Sequence, residues 1–195
     1  INDFAKGLKN LISDDGVIII EIHYLGSMIN DTSFDTIYHE HFSYWSLENL
    51  INLFTKYGLN IFDACLMSVH HGQLRIYMSK SKKYKKSKLL NDLLKKEKNE
   101  NLIGEKLSLF CKNVLDIKEN LLDLFEKISK EGKKICGYGA PAKASTLINF
   151  IGNNNLEFIY DKSKLKQGKY IPGTGIKIKD PFEIKGDSPD YIFLF

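Results

Sequence analysis

The segment "KKICGYGAPAKASTLINFI", residues 133–151, decides how the second half of this chain folds. Its opening residues form an apolar run of strand length, and its closing residues repeat apolar side chains at helical spacing. Between the two, Gly137, Gly139 and Ala142 match the G-x-G-x-x-G/A pattern of a tight strand-to-helix turn. The segment therefore predicts a strand, a glycine turn and a helix, as in a parallel α/β unit.

This glycine turn has two interpretations. Small residues let the backbone approach a diphosphate, the helix N-terminus offers N–H groups, and an acidic residue ending the next strand holds ribose hydroxyls. Asp161, at the end of the predicted strand "LEFIYD" (156–161), is such a residue, and Pro141 suits a first helical turn. The turn predicts nucleotide or sugar-nucleotide binding. The alternative is a connection without a ligand, in which Lys143 is an ordinary surface residue.

The first half also alternates helices and strands. Residues 2–12 predict a helix, and "VIIIEI" at 17–22 predicts a buried strand. A second helix over 48–58 ends at Gly58, and residues 59–79 predict two strands. The first helix presents an apolar face of Phe4, Leu8, Leu11 and Ile12. The last strand alternates Leu74, Ile76 and Met78 with Arg75 and Tyr77.

Residues 84–131 differ in composition from both halves, being rich in Lys, Glu, Leu and Asn without a proline. Apolar residues spaced alternately four and three apart predict the seam of one long helix. The seam consists of Ile103, Leu107, Phe110, Val114, Ile117, Leu121, Leu124 and Ile128. Such a seam suits a coiled-coil dimer or packing within the chain, and the globular flanks favour the second. The helix marks a boundary between two α/β halves.

The composition is that of a globular protein, with 195 residues of which 43% are hydrophobic and 27% charged. No apolar run approaches the roughly 20 residues needed to cross a bilayer. The first residues lack a secretory signal, so we expect a cytoplasmic protein without a membrane partner. The net charge of +4 reflects a lysine-rich stretch at 79–88, which predicts a solvated linker or helix start in preference to a nucleic-acid contact.

The three cysteines and the chain ends give further expectations. Cys65, Cys111 and Cys136 are too scattered for a thiolate zinc site or a disulfide framework. The chain begins within a predicted helix and stops within a predicted strand, "DYIFLF". We therefore expect it to be a piece of a longer polypeptide.

The stretch "FDTIYHEHFSYWS", residues 34–46, concentrates titratable and aromatic side chains. If it is extended, His39 and His41 share one face and, with the His70 and His71 pair, suggest a metal site. If it turns, Tyr38 and His41 are neighbours, and the pattern suggests a general base beside a phenol. Spacing alone leaves both geometries open.

Three segments together carry a family resemblance. The stretch "FDTIYHEHFSYWSLENLINLFTKYGLNIFD", the turn "GYGAPAKASTLINF" and the stretch "DKSKLKQGKYIPGTGIKI" closely resemble the sugar C-methyltransferases. Members of that family use S-adenosylmethionine to methylate a carbon of nucleotide-linked keto-deoxysugars. The resemblance covers nearly the whole chain except the lysine-rich and long-helix region.

The resemblance implies an α/β fold in which a class I methyltransferase sheet is followed by a long helix and a Rossmann-like domain. Residues 1–80 would be the C-terminal portion of the methyltransferase domain, 81–131 a helical connector, and 132–195 a truncated C-terminal domain. The glycine loop for S-adenosylmethionine and the zinc-binding N-terminal domain would lie upstream of Ile1. We expect no metal site in this chain and no activity from it alone.

The resemblance also implies roles for individual residues. His41 would be the general base, Tyr38 would help place the sugar, and Glu40 would orient or polarise its neighbours, which favours the turned geometry of this stretch. The sugar nucleotide would contact His70, Arg75, Gly137, Tyr138, Gly139, Ala140, Pro141, Lys143 and Asp161. His71, Gln73 and Ala144 depart from the family pattern, and the first two put the sugar preference in doubt.

Two other classes of function fit parts of the sequence. A non-catalytic module that binds nucleotide sugars would need the glycine turn but not His41. An NAD-dependent dehydrogenase would use the same turn with Asp161, yet no recognisable catalytic residue follows it. The methyltransferase hypothesis accounts for the most residues.

Overall fold

The computed structural model describes residues 1–68, 72–152, 155–185 and 188–195. The chain divides into two compact units: a first unit of residues 1–33 and 43–111, and a second unit of residues 34–42 and 112–195. Each unit has its own sheet, antiparallel in the first and parallel in the second. The predicted mixed α/β class is confirmed.

The first unit contains a three-stranded antiparallel sheet in the order β1-β3-β2. Its elements are α1 (Asn2–Leu11), β1 (Ile18–His23), α2 (Leu25–Asn30), α3 (Leu47–Thr55), β2 (Asn60–Met67), β3 (Gln73–Ser79), α4 (Lys88–Asn99) and the start of α5 (Glu105–Lys130). The predicted alternation of β3 is confirmed, because Leu74, Ile76 and Met78 are fully buried.

Strand β1 differs from the buried strand that the sequence predicts. Ile19 is 58% exposed and Glu21 is also exposed, whereas Ile18, Ile20 and Ile22 pack against the core. An antiparallel sheet packs on one face and leaves alternate residues on the other. The run of isoleucines therefore forms a half-buried strand.

Helix α1 forms where it is predicted, but only two of the four residues of its predicted apolar face pack against the core. Ala5 is fully buried, with Leu8 and Ile12 packed beside it, while Phe4 and Leu11 are exposed. The spacing of three and four residues suits both stripes equally well. Packing against the sheet selects the stripe that contains Ala5, and periodicity alone does not reveal this packing.

The predicted long helix is confirmed as α5, except at its start: Ile103 precedes α5, and a separate helix, α4, occupies residues 88–99. Asn101 adopts a left-handed φ of +45°, its N–H donates to the carbonyl of Lys98, and the N–H of Leu102 donates to that of Glu97. These two bonds form a Schellman motif, which ends a helix. Ile103 therefore lies outside both helices and is exposed, whereas Leu102 is buried.

The N-terminus of α3 is held by a buried carboxylate from α4. Glu97 is 7% exposed and accepts hydrogen bonds from the backbone N–H groups of Leu47 (2.7 Å) and Glu48 (3.1 Å). The hydroxyl of Ser46 accepts the N–H of Asn49 as an N-cap. Burial, followed by the nearby Glu97 carboxylate, raises the pKa of Tyr24. Together, Glu97 and Ser46 satisfy three N–H groups at the start of α3 that have no partner within the helix.

The lysine-rich stretch is held to the first unit by contacts of its own. The ammonium of Lys80 donates to the carbonyl of Ile12 (2.7 Å), and Lys83 pairs with Asp15 (3.2 Å). Tyr84 stacks on Phe62 with ring centroids 4.5 Å apart. These contacts fasten the connection between β3 and α4 to the turn before β1 and to β2.

The second unit contains a four-stranded parallel sheet in the order β6-β5-β4-β7. Its elements are a 3₁₀ turn (Phe34–Thr36), the rest of α5, β4 (Ile135–Tyr138), α6 (Ala142–Ile151), β5 (Leu156–Tyr160), β6 (Lys177–Lys179), a 3₁₀ turn (Pro181–Lys185) and β7 (Tyr191–Leu194). The core on one face combines Phe125, Ile128, Ile135, Ala144, Ile148 and Ile159. The predicted strand, glycine turn and helix at 133–151 are confirmed.

Asp161 fastens the loop after β5 to the glycine turn. Its Oδ2 accepts the N–H of Ala140 (2.7 Å), its Oδ1 accepts the N–H of Ser163 (2.7 Å), and the ammonium of Lys166 lies 3.5 Å from Oδ2. Burial opposes ionisation of this carboxyl, but the hydrogen bonds and Lys166 outweigh it and lower its pKa. The carboxylate therefore stabilises the fold of this turn.

Among the residues that the structure describes, no helix is long and apolar enough to span a membrane.

We predict that Glu97→Ala lowers the free energy of unfolding by about 2–4 kcal/mol, because the buried N–H of Leu47 and the partly buried N–H of Glu48 lose a charged acceptor. Glu97→Gln keeps one acceptor oxygen and should lose about half as much. Urea unfolding measures both. The control is Glu126→Ala, which removes an exposed partner of Lys130 on α5 and should change stability by less than about 0.5 kcal/mol. Equal losses in the two alanine variants would contradict the capping role.

We also predict a pH-dependent effect of Asp161→Asn. The folded-state pKa of Asp161 lies below its ordinary value of 3.8, so its stabilisation is present above pH 3.8 and is lost as the pH falls through the folded pKa. At pH 7 the variant should be less stable by about 1–3 kcal/mol. Urea unfolding at pH 7, 5 and 3 should show the difference shrinking only at the lowest pH. A constant difference would exclude the carboxylate charge as its source.

Candidate functional site

The glycine turn after β4 needs its glycines for the packing of the sheet. An added Cβ on Gly137 would lie 2.7 Å from the side chain of Ile159 on the neighbouring strand and 2.8 Å from that of Phe195. Gly139 has a φ of +91° and donates its N–H to the carbonyl of Tyr160 (2.7 Å). Close approach of neighbouring side chains therefore requires glycine at 137, and the positive φ favours glycine at 139.

A cavity of about 410 Å³ lies within the second unit, at the N-terminal end of α6. Its lining is mostly apolar, with hydroxyls from α6 and two lysines from the loop before β6. The lining residues are Tyr38, His39, Ala140, Pro141, Ala142, Ser145, Thr146, Lys166, Lys169, Tyr170, Ile171, Pro172 and Ile178. A mostly apolar cavity with a few polar groups is typical of a small-molecule site.

Sequence analysis did not predict individual site residues in the loop that contributes Lys166 and Lys169. Lys166 donates its ammonium to the carbonyl of Ala140 (2.8 Å), which places a cation beside the glycine turn. The side chain of Asn149 donates to the carbonyl of Pro172 (2.9 Å) and fastens this loop to α6. The sequence signal for these two lysines was a loop that is rich in lysine, contains glycines and follows a strand ending in an acidic residue.

The stretch at 34–42 is turned. The N–H of His41 donates to the carbonyl of Tyr38 (2.9 Å), and the two rings lie 4.5 Å apart at 41°. This is the geometry in which a phenol and an imidazole are neighbours, in contrast to the extended alternative. The ring of His39 is farther from Tyr38, with centroids 6.1 Å apart.

The imidazole of His41 is oriented by a backbone carbonyl. Its Nδ1 lies 2.8 Å from the carbonyl oxygen of Thr36, a residue that is itself buried. A carbonyl oxygen only accepts, so Nδ1 carries the hydrogen, and the lone pair of the neutral ring is on Nε2. His41 is half-buried and Glu40 is exposed. His41 is outside the cavity lining and lies beside Tyr38, which is part of it.

The structure brings together some of the predicted substrate contacts. Tyr38, Ala140 and Pro141 line the cavity. Gly137 and Gly139 form the turn behind it, and Asp161 is bonded to that turn. Both oxygens of Asp161 accept N–H groups of the protein itself, an arrangement that sequence analysis did not anticipate.

Other predicted contacts lie elsewhere. Arg75 is in the first unit, where its Nε donates to Oε1 of Glu21 (2.7 Å) across β1 and β3, and this hydrogen bond raises the pKa of Arg75. Tyr138, at the end of β4, packs against a cluster of Cys136, Phe158 and Tyr160. His70 and its neighbour His71 lie outside the described residues.

Lys143 faces the stretch at 34–42. Its ammonium lies 3.6 Å from Oδ2 of Asp35, and both side chains are about one-third exposed. The described lining of the cavity does not include Lys143. Further along α6, the ring of Phe150 lies 5.1 Å from that of Phe34.

A metal-binding cluster was the alternative for the histidines. Within the described ranges, three His, Cys, Asp or Glu side chains nowhere come together as metal ligands would.

Comparison with known proteins identifies the family. The model of the C-methyltransferase C-terminal domain matches residues 68–195. The C-methyltransferase NovU of Streptomyces niveus is 31% identical over 198 residues, an alignment that covers all of this chain and 47% of the relative. The chain spans about half the length of the curated relative it matches. The resemblance seen in the sequence motifs is thereby confirmed, and the chain belongs to the C-methyltransferase family through that family's C-terminal domain.

Proposed function

We propose that the complete polypeptide is an S-adenosylmethionine-dependent C-methyltransferase that acts on a nucleotide-linked keto-deoxysugar. Family membership supports methyl transfer to carbon as the type of reaction. The observation that carries the proposal is the turn in which Tyr38 and His41 are in ring contact, with the imidazole oriented by the carbonyl of Thr36. A base and a hydroxyl donor are the two groups that enolisation of a ketone requires.

In the proposed reaction, the carbon beside the sugar's ketone loses a proton to Nε2 of His41. Nδ1 already carries the hydrogen that it donates to Thr36, so Nε2 is the nitrogen able to accept a proton. The hydroxyl of Tyr38 donates to the ketone oxygen as negative charge develops there. Glu40, next in sequence to His41, would polarise or orient these groups. The carbon would then use its electron pair to form a bond to a methyl group, while the bond between that methyl group and its donor breaks and the donor keeps the electron pair.

S-adenosylmethionine, when bound, supplies that methyl group on a positively charged sulfur. We place its binding loop, and the predicted zinc domain, upstream of Ile1. The first unit supports a methyltransferase sheet in part: β1 and β2 are both antiparallel to β3 and hence parallel to each other. An antiparallel strand among parallel ones is common near the edge of doubly wound sheets.

The cavity supports binding of a sugar nucleotide by the second unit. Tyr38 contributes to its lining, as do the N-terminal residues of α6 and two lysines, Lys166 and Lys169. Helix N-termini and lysines both favour phosphate groups. Asp161 already accepts two backbone N–H groups, which weighs against its use as the ribose ligand of a dehydrogenase.

The central prediction concerns His41→Asn in the complete polypeptide. The asparagine amide can still donate toward Thr36 but has no nitrogen that accepts a proton, so kcat should fall about 10²- to 10⁴-fold. The dissociation constant for the sugar nucleotide, measured by calorimetry, should change less than about threefold. Undiminished turnover would exclude His41 as the base, whereas binding of the sugar nucleotide without any turnover by the unaltered polypeptide would favour the non-catalytic binding module.

A second prediction concerns the hydroxyl of Tyr38. Tyr38→Phe keeps the ring contact with His41 and removes only the donor to the ketone, so kcat should fall about 10- to 100-fold. The control is Tyr84→Phe, which removes the phenol hydroxyl that donates to the carbonyl of Asp15 in the first unit. That variant should keep its turnover.

Calorimetry should also detect binding of a nucleoside-diphosphate sugar and S-adenosylmethionine but not NAD.

A further inference from the structure

We propose that Lys143 is a positioning residue, whose ion pair with Asp35 holds the turn that orients the imidazole of His41. This inference rests on the proposed function, because it assumes that His41 is the base. It gives Lys143 a role other than the substrate contact that the family resemblance implies.

Helix α6 holds the start of the turned stretch at two points. Lys143 and Phe150 are seven residues apart, so they lie on one face of the helix. Phe150 contacts the ring of Phe34, which is buried, and Lys143 pairs with the next residue, Asp35. Lys118 of α5 places its ammonium 5.1 Å above the ring of Phe150. The stretch is thus attached by one apolar contact and one charged contact.

The charged contact is adjacent to the carbonyl that orients His41. Asp35 and Thr36 are consecutive residues of the 3₁₀ turn. The peptide bond between them is planar, so a displacement of Asp35 moves Thr36 with it. The Thr36 carbonyl accepts a hydrogen bond from Nδ1 of His41, and the Tyr38 carbonyl accepts one from the backbone N–H of His41. The chain of contacts therefore runs from Lys143 through Asp35 and Thr36 to the imidazole.

An ion pair of this kind contributes little to global stability, since both side chains are partly solvated. Its effect on catalysis can be larger, because a displacement of a catalytic group by about 1 Å can cost about 10²-fold in rate. The inference therefore predicts a loss of turnover that is out of proportion to the loss of stability. A residue that only supported folding would not produce this combination.

The test uses single and double variants of the complete polypeptide. Lys143→Met and Asp35→Asn should each lower kcat about tenfold, leave the dissociation constant for the sugar nucleotide within about twofold, and shift Tm by less than about 2 °C. The double variant should lose no more than either single variant, because both remove the same contact. Lys143→Arg keeps the ion pair and should retain most of the turnover.

The matched control is Lys130→Met, which removes the exposed pair with Glu126 on α5 and should leave kcat unchanged. Hydrogen exchange gives a readout that does not depend on activity. The amides of Ile37, Tyr38 and His41, which are all bonded within the turn, should exchange about tenfold faster in Lys143→Met. The same amides should be unaffected in Lys130→Met.

Three outcomes would overturn the inference. A rise of tenfold or more in the dissociation constant with Lys143→Met, not reproduced by Asp35→Asn, would identify Lys143 as a substrate ligand. Additive losses in the double variant would show two independent roles. Unchanged kcat and unchanged exchange would exclude any effect of the pair. Failure of the proposed role of His41 as the base is distinguishable, because in that case His41→Asn keeps its turnover whatever the exchange data show.

Discussion

The carboxylate of Asp161 is the constraint on which the second unit depends. It joins the loop after β5 to the turn after β4 by accepting the N–H of Ala140 and of Ser163. The turn precedes α6 directly, so this bond sets where the helix begins. Gly137 allows close packing because it carries no Cβ, and Gly139 adopts the positive φ that the turn requires.

Helix α6 then serves two purposes on two of its faces. Ala142, Ser145 and Thr146 line the cavity, whereas Lys143 and Phe150 contact the stretch at 34–42. A helix places residues three, four and seven apart on one face, so a ten-residue helix can present both sets. The same element thus builds the proposed binding site and supports the stretch that carries the proposed base.

Sequence patterns predicted elements better than faces. Periodicity predicted α1, α3 and β3, and the glycine turn predicted β4 and α6. It failed where two faces of a helix fit the same period. In α1 the buried side chain is that of Ala5, whereas Phe4 and Leu11 are exposed. Periodicity also missed the end of α4. Asn101 in a left-handed conformation ends a helix as glycine does, but asparagine can equally adopt the helical conformation.

The sequence by itself determined the mixed α/β class, the glycine turn and the family, because these follow from local spacing and from motifs that survive as strings of residues. Only the tertiary structure decided that the stretch at 34–42 is turned, that Asp161 bonds to Ala140, and that Lys143 pairs with Asp35. The last pair joins residues 108 positions apart in the chain. Such contacts depend on the packing of complete elements, which local propensity does not encode.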